Sequence, residues 1–256
     1  MRSPVVSVII PAYRCSETIG AAIDSALAQD VPMEILVIDD CPEAPIGAVM
    51  KRYAEDPSVI YLKNPENLGA AETRNRGIRE AKAPLIAFLD ADDLWLPGKL
   101  RKQLELLEKT GCVLSCTARE LMTPQGQATG KIIPVREQIT YRELLKHNCI
   151  NCSSVVIRAE AAREFPMCHE DSHEDYIMWL RVLQKYGSAC GINEPLLQYR
   201  LSSTGKSGNK LKSAKMTFLV YRYMGFGIGK SLLCFCSYAF HGVRKYLFTK
   251  KETKDT

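Results

Sequence analysis

The feature that most constrains this chain is a regular alternation in its first hundred residues. Four short apolar runs, Val5–Ile10, Ile35–Ile38, Val59–Leu62 and Leu85–Leu89, are separated by segments with helical periodicity. Helices are predicted over Ser16–Ala28, Pro45–Ala54 and Ala70–Lys82, with an amphipathic helix at Leu100–Lys109. A β-α-β-α-β-α-β chain of this kind folds with right-handed crossovers into a mostly parallel sheet between helical layers. Ligands of such open sheets bind beyond the carboxyl ends of the strands. Three of those ends carry polar groups: Pro11–Ala12–Tyr13–Arg14, Asp39–Asp40 and Asp90–Ala91–Asp92–Asp93. They are expected to converge on one crevice.

The last cluster places three carboxylates within four residues, and Lys99 is the nearest cation in sequence. A hard divalent ion such as Mg²⁺ or Mn²⁺ relieves that repulsion, binding one or two carboxylates plus substrate phosphates. An acidic turn capping the helix after Pro97–Gly98 is the alternative. Asp39–Asp40 likewise suits a helix cap, and Tyr13 a packing role. No G-x-G-x-x-G follows the first strand and no G-x-x-x-x-G-K-[ST] occurs, which disfavours dinucleotide and P-loop folds.

The second half is less regular. Strands are expected at Val113–Thr117 and Ser153–Ile157, a turn at Thr123–Gln127, and a short helix at Tyr141–Lys146. A polar loop, Cys168–Ser172, precedes an amphipathic helix from Glu174 marked by Ile177, Leu180, Val182, Leu183 and Tyr186. With 256 residues, 46% of them hydrophobic, one large domain is expected. Its span is 1–205, with a nucleotide-binding half to about 110, an acceptor-binding half over 111–205, and a tail at 206–256. The start, Met1–Arg2–Ser3–Pro4, leads into a strand and not a leader core.

The ten cysteines lie mostly inside apolar runs, so reduced buried thiols are expected. Cys149 and Cys152 have zinc-like spacing, but Cys168–His169 is a poor second pair. Residues 205–256 hold eleven Lys/Arg against two acids, a net +9, leaving −4 for the rest of a chain of net charge +5. The tail therefore favours an anionic surface.

Taken together, these stretches resemble an inverting, nucleotide-sugar-dependent glycosyltransferase of family 2. The match runs through Val6–Tyr13, Val37–Asp40, Gly69 with Arg74–Gly77, Phe88–Trp95, Glu174–Tyr176 with Trp179–Arg181, and Tyr199–Arg200. The resemblance is greatest to bacterial enzymes of capsule, lipopolysaccharide or teichuronic acid synthesis. It implies a Rossmann-like GT-A fold, a nucleotide-diphosphate sugar donor, most simply UDP-linked, and a Mn²⁺ or Mg²⁺ cofactor. Pro11, Ala12 and Tyr13 would border the base, Asp39 and Asp40 its imide edge, and Arg74 the phosphate or ribose. Asp90–Ala91–Asp92 would be the DXD motif, with Asp92 on the metal. Asp93, Glu174, Trp179 and Arg200 would support these groups or the acceptor, and Asp175 would be the general base. Two features depart from the family pattern: Cys41–Pro42–Glu43 follows Asp39–Asp40, and Leu201–Thr204 supplies no histidine after Arg200. The processive Gln-x-x-Arg-Trp is absent, so one sugar per acceptor is expected.

The tail alternates lysines and arginines with Phe218, Leu219, Tyr223, Phe226, Leu232, Leu233, Phe235 and Phe240. Its longest uncharged stretch, Ser231–Phe240, falls short of the ~20 apolar residues a membrane span requires. A basic amphipathic helix on the inner membrane surface is expected, near saccharide or lipid-linked saccharide acceptors; packing of its apolar face on the domain is the alternative. That makes the protein cytoplasmic and peripheral. Two other readings compete: a sugar-phosphate nucleotidyltransferase, whose usual Gly-rich basic loop is lacking here, and a nucleic-acid-binding module using the tail. The second leaves the acidic crevice without a purpose, so no nucleic acid partner is expected.

Overall fold

The computed structural model describes residues 3–201 and 210–249. The expected boundary at 205/206, the Ser202–Thr204 departure and residues 250–256 lie outside them. In chain order the first elements are β1 (Val6–Ala12), α1 (Ile19–Leu27), β2 (Met33–Asp39), α2 (Gly47–Met50), β3 (Val59–Lys63), α3 (Gly69–Glu80) and β4 (Leu85–Phe88). There follow β5 (Leu94–Trp95), α4 (Lys99–Thr110), β6 (Leu114–Met122), β7 (Ala128–Ile133), β8 (Gln138–Thr140) and α5 (Tyr141–Lys146). The chain continues with β9 (Val156–Arg158), α6 (Ala159–Glu164), α7 (Glu174–Tyr186), β10 (Ser188–Arg200), α8 (Lys210–Tyr223) and α9 (Ile228–Thr249).

The strands form one sheet in the order β3-β2-β1-β4-β9-β6-β10-β5, with β7 on β6 and β8 on β10. The first four strands are all parallel, as the alternation requires. Successive residues of β1 face opposite sides: Val8 and Ile10 pack with α1 residues Ile19, Ala22, Ile23 and Ala26, while Ile9 packs with Ile78 of α3 and with α7. Burying each such aliphatic side chain contributes about 1.5–3 kcal/mol. Helix α3 comes unusually close to the sheet. A Cβ at Gly77 would lie 2.6 Å from Ile9, so glycine is what lets this helix, and Arg74 one turn earlier, sit against β1.

The second half departs from the expected parallel order. Strand β9 inserts antiparallel between β4 and β6, pairing Ala87 with Val156 and Leu114 with Ile157. Its expected start at Ser153 is instead a 3₁₀ turn, Cys152–Ser154, whose serines are fully buried. The 13-residue β10 is an element that periodicity alone missed. Asn193–Glu194–Pro195 interrupts its alternation, and the register against β6 shifts there, a bulge that accommodates proline in a sheet. The helix expected over Pro45–Ala54 shrinks to α2 and a 3₁₀ turn, Lys51–Tyr53. Tyr53 is drawn inward, its hydroxyl donating to Gly20 O at 3.0 Å and Asp24 Oδ1 at 2.7 Å.

One cysteine expectation is overturned: Cys112 and Cys190, 78 residues apart, form a disulfide joining the end of α4 to β10. The apolar surroundings that read as buried thiols concealed that the two segments meet. In the tail, α8 buries Met216, Val220 and Tyr221 against the domain, and Tyr221 donates to Leu145 O at 2.9 Å. Packing on the domain thus accounts for α8, whereas α9 leaves Ile228, Leu232, Leu233 and Phe240 exposed. Among the described residues no helix is long and apolar enough to cross a membrane.

Candidate active site

The carboxyl ends of β1, β2 and β4 lie side by side, and the polar groups singled out in sequence gather there. Tyr13, just past β1, is 45% exposed with the Arg14 guanidinium 5.2 Å from its ring centroid. Ala12 is buried beside it and accepts the Asp40 amide at 2.8 Å, while Pro11 is partly open. This leaves an aromatic face at the rim of the crevice.

Asp39 and Asp40, both buried, serve as scaffolding. Asp39 accepts from Cys41 N (3.2 Å), Ile46 N (3.1 Å) and the Tyr61 hydroxyl (2.6 Å). Asp40 accepts from Asn64 Nδ2 (2.7 Å), Leu68 N (2.8 Å) and Gly69 N (2.9 Å), which pins the start of α3. A carboxylate has about four acceptor sites, so Asp40 keeps one for a further donor. Gly69 takes a φ of +80° at this junction, a conformation that favours glycine. The Glu170 carboxylate meets the same helix start, accepting from Ala71 N at 2.8 Å. In sequence Glu170 yields to Asp175, which has the Trp179–Leu180–Arg181 context of the family, and Tyr61 and Asn64 carry no signal at all.

Arg74, on the second turn of α3, ties the two halves together. Its Nη2 donates to Asp90 Oδ1 at 2.5 Å and its Nη1 to Glu174 Oε1 at 3.2 Å, with all three groups largely buried. Burial alone would disfavour its charge, but Asp90 and Glu174 more than offset this and hold it firmly protonated. The Asp90 amide in turn donates to Ser153 Oγ at 3.1 Å, in the 3₁₀ turn that replaced the expected strand. Ser153 also accepts Trp95 Nε1 on its carbonyl at 2.7 Å, which fixes the floor of the site.

Asp92 and Asp93 are placed quite differently. Burial, followed by the charge of Asp90, raises the pKa of the Asp92 carboxyl, and no donor from another described residue engages that carboxyl. Asp93 is 1% exposed, and its pKa is pushed well up by burial and then by Asp90 and Asp92. Its Oδ1 accepts the Arg200 amide at 2.9 Å; its Oδ2 makes no geometrically sound hydrogen bond, although Ser153 lies near enough to favour its ionised form. Arg200 closes this turn from β10, donating through Nε to Asp92 O (2.8 Å) and through Nη1 to Pro124 O (2.9 Å). Among the described residues no three His, Cys, Asp or Glu side chains form a cage. An uncommitted carboxylate beside an orphaned one nonetheless fits a divalent ion completed by substrate phosphates and water.

Across the crevice, α7 begins with Glu174 and Asp175. Asp175 is partly open to solvent and accepts the amide of Tyr176 at 2.7 Å. Its pKa is raised to about 6, by burial first and Glu174 second, against the opposing charges of His173 and Arg74. A carboxyl tuned in this way is suited to take a proton near neutral pH. Trp179, one turn on, is fully buried 5.9 Å from Phe88 between ring centroids, so it supports β4 from beneath. The neighbouring acids of the polar loop have structural partners: Asp171 accepts from Tyr223 of α8 at 2.6 Å, and His169 stacks on the same ring at 3.6 Å.

The glycosyl transferase family 2 signature matches residues 7–164. TuaG of Bacillus subtilis (strain 168), a provisionally assigned teichuronic acid biosynthesis glycosyltransferase, is 37% identical over 95% of this chain and 98% of its own length. WfaP of Escherichia coli, named UDP-Glc:α-D-GlcNAc-diphosphoundecaprenol β-1,3-glucosyltransferase, is 30% identical over 98% of this chain and 99% of its own. Among solved structures, mannosyltransferase PcManGT from Pyrobaculum calidifontis, in complex with GDP-Man and Mn²⁺, shares the fold with a TM-score of 0.65. It is 17% identical, over 88% of this chain and 65% of that one.

Proposed function

This chain belongs to glycosyl transferase family 2 and transfers a sugar in cell-surface polysaccharide synthesis; within that activity we propose an inverting transfer from a UDP-sugar to a lipid-linked saccharide. The observation that carries this reading is Asp175, a carboxyl held near a pKa of about 6 across the crevice from the Asp90–Asp93 turn. The UDP-Glc donor and diphosphoundecaprenol acceptor in the name of WfaP support the substrate classes, and the Mn²⁺ of PcManGT supports the cofactor.

In this reading the uracil ring lies on Tyr13 with its imide N–H toward the remaining acceptor site of Asp40. Arg74 and Asp90 border the ribose and phosphate. Asp175 takes the proton of the acceptor hydroxyl as its oxygen attacks the anomeric carbon opposite the nucleotide. The bond to the diphosphate oxygen breaks, UDP leaves, and the configuration inverts in one displacement, so no covalent enzyme intermediate is needed. Mn²⁺ or Mg²⁺ on Asp92, when bound, supplies Lewis-acid stabilisation of the leaving diphosphate.

The deciding experiment is calorimetric titration of UDP with Mn²⁺, repeated with EDTA and with Asp92→Ala. Binding that needs the metal and is lost in the variant is expected. Absence of UDP binding with metal present overturns the uracil assignment and turns the search to other nucleotides.

We assign the inner membrane surface to α9. Ile228, Leu232, Cys236 and Phe240 recur every four residues along its length, all exposed, with Leu233 beside them. An apolar stripe on a basic helix fits shallow insertion into anionic lipid. Cosedimentation with anionic vesicles is expected for the wild type and lost, by about tenfold in partitioning, for Leu232→Glu/Leu233→Glu. Unchanged partitioning refutes the assignment.

A further inference from the structure

Several arginines border the crevice, Arg14 at its rim among them, and in two, Arg74 and Arg200, neighbouring groups accept from the guanidinium. Arg74 is neutralised by Asp90 and Glu174, and Arg200 spends its guanidinium on the carbonyls of Asp92 and Pro124. Arg119, on β6, is different. No described residue forms a hydrogen bond or ion pair with its side chain, and its Nε is sealed from solvent without a partner. Its guanidinium lies 5.6 Å from the ring centroid of Tyr199, the residue just before Arg200. Burial disfavours its charge, and the groups that favour it, Tyr199, Asp93, Cys149 and Cys116, act without bonding to it.

A half-buried cation that no counter-charge among the described residues engages is costly, and the cost is recovered when an anion arrives. Arginine presents a planar fork that matches phosphate oxygens bidentately. Its location narrows the source. The donor pocket is built on β1, β2, β4 and α3, whereas Arg119 lies on the far side of β9, paired with Leu197 of β10 and Ile133 of β7. Asp93 and Cys149 both lie within electrostatic range of it. Two residues before Cys149, His147 stacks on Tyr238 of α9, ring centroids 5.4 Å apart. Arg119 is thus separated from the donor strands by β9 and lies in electrostatic range of the carboxylate turn, on the half of the sheet left for the acceptor.

We propose that Arg119 is an acceptor-side anion subsite, binding the diphosphate that joins the acceptor saccharide to its lipid. The proposal rests on the glycosyltransferase reading and adds the residue that selects diphosphate-linked acceptors.

The test compares two acceptors, N-acetylglucosaminyl diphosphate undecyl ester and the neutral undecyl N-acetylglucosaminide, with wild type, Arg119→Gln and Arg119→Lys. For Arg119→Gln, KM for the diphosphate acceptor rises about tenfold or more, while kcat, the neutral acceptor and UDP affinity with Mn²⁺ stay unchanged. Arg119→Lys recovers part of the loss, because charge remains without the fork. Equal losses on both acceptors overturn the proposal, and so does a tenfold loss of UDP affinity, which moves the guanidinium to the donor diphosphate. If Arg119→Gln fails to fold, Arg119→Lys decides: a rise of about threefold or more in KM confined to the diphosphate acceptor supports the subsite, and no change refutes it. Calorimetry of undecyl diphosphate alone, wild type against Arg119→Lys, separates this outcome from failure of the glycosyltransferase reading. Weaker binding by the variant supports the subsite even if no sugar transfer is found; equal binding refutes it.

Discussion

Asp39–Asp40 and Asp92–Asp93 are the same dipeptide at two edges of one crevice. The first pair receives six hydrogen bonds from surrounding backbone and side chains. The second receives one geometrically sound bond, from the Arg200 amide, and both of its carboxyls have raised pKa values. A carboxylate given donors by its own fold stabilises that fold; one given burial and like charge in their place is costly until a ligand completes it. The contrast separates the part of the site that builds the crevice from the part that is held ready for substrate. Asp175 belongs with the second kind and Arg119 is its cationic counterpart.

The largest effect tests the second kind. Asp175→Asn should lower kcat by about 10²–10⁴-fold, since it deletes the base and little else. In the wild type, kcat/KM should rise with pH and level off above an apparent pKa of about 6. The folded-state pKa is raised, so the folded protein holds its proton more tightly than the unfolded chain does. Stability should therefore fall as pH rises from the ordinary carboxylate range through about 6, and Asp175→Asn should flatten that fall. At pH 8 thermal unfolding should show the variant no less stable than the wild type, and more stable by up to about 3 kcal/mol. A less stable variant would place Asp175 with the scaffolding.

A smaller effect sharpens the comparison directly. Asp40→Ala strands the Leu68 amide and removes one of two acceptors from Gly69 N and from Asn64 Nδ2, at a cost of about 1–3 kcal/mol in chemical denaturation. Asp92→Asn, which strands nothing, should stay within about 0.5 kcal/mol of wild type. Equal costs at the two positions would erase the distinction. The smallest effect is at the rim. Tyr13→Ala should weaken UDP binding by about 1–2 kcal/mol in calorimetry and leave the melting temperature unchanged, because the ring is already half exposed.

Much of this site was legible before the fold was known. Tyr13, Asp40, Asp90 and Asp92 converge because apolar runs bring strand ends together, and that pattern is local; Arg74 and Asp175, on helices, were expected only from the family resemblance. Capping by Asp39 and Asp40 was one of two readings open in the sequence, and spacing could not choose between them. Ser153 was invisible, since it was read as strand and turned out to be a buried 3₁₀ turn under Asp90. Arg119 carried no signal either, because one arginine on a half-buried strand looks like any other until its missing partners are counted.

What the sequence determined by itself was the alternation of strands and helices, the carboxylates at the strand ends, the family motifs and the basic tail. Each of these is written within a dozen or so neighbouring residues. The tertiary structure alone decided which carboxylates would find donors, that β9 would enter antiparallel, that Cys112 would meet Cys190, and that α8 would dock while α9 kept an apolar face. The physical reason is range. Asp40 is completed by an amide 28 residues away and Asp93 by one 107 residues away, and no local pattern encodes a hydrogen bond whose two halves are brought together only by the register of the sheet.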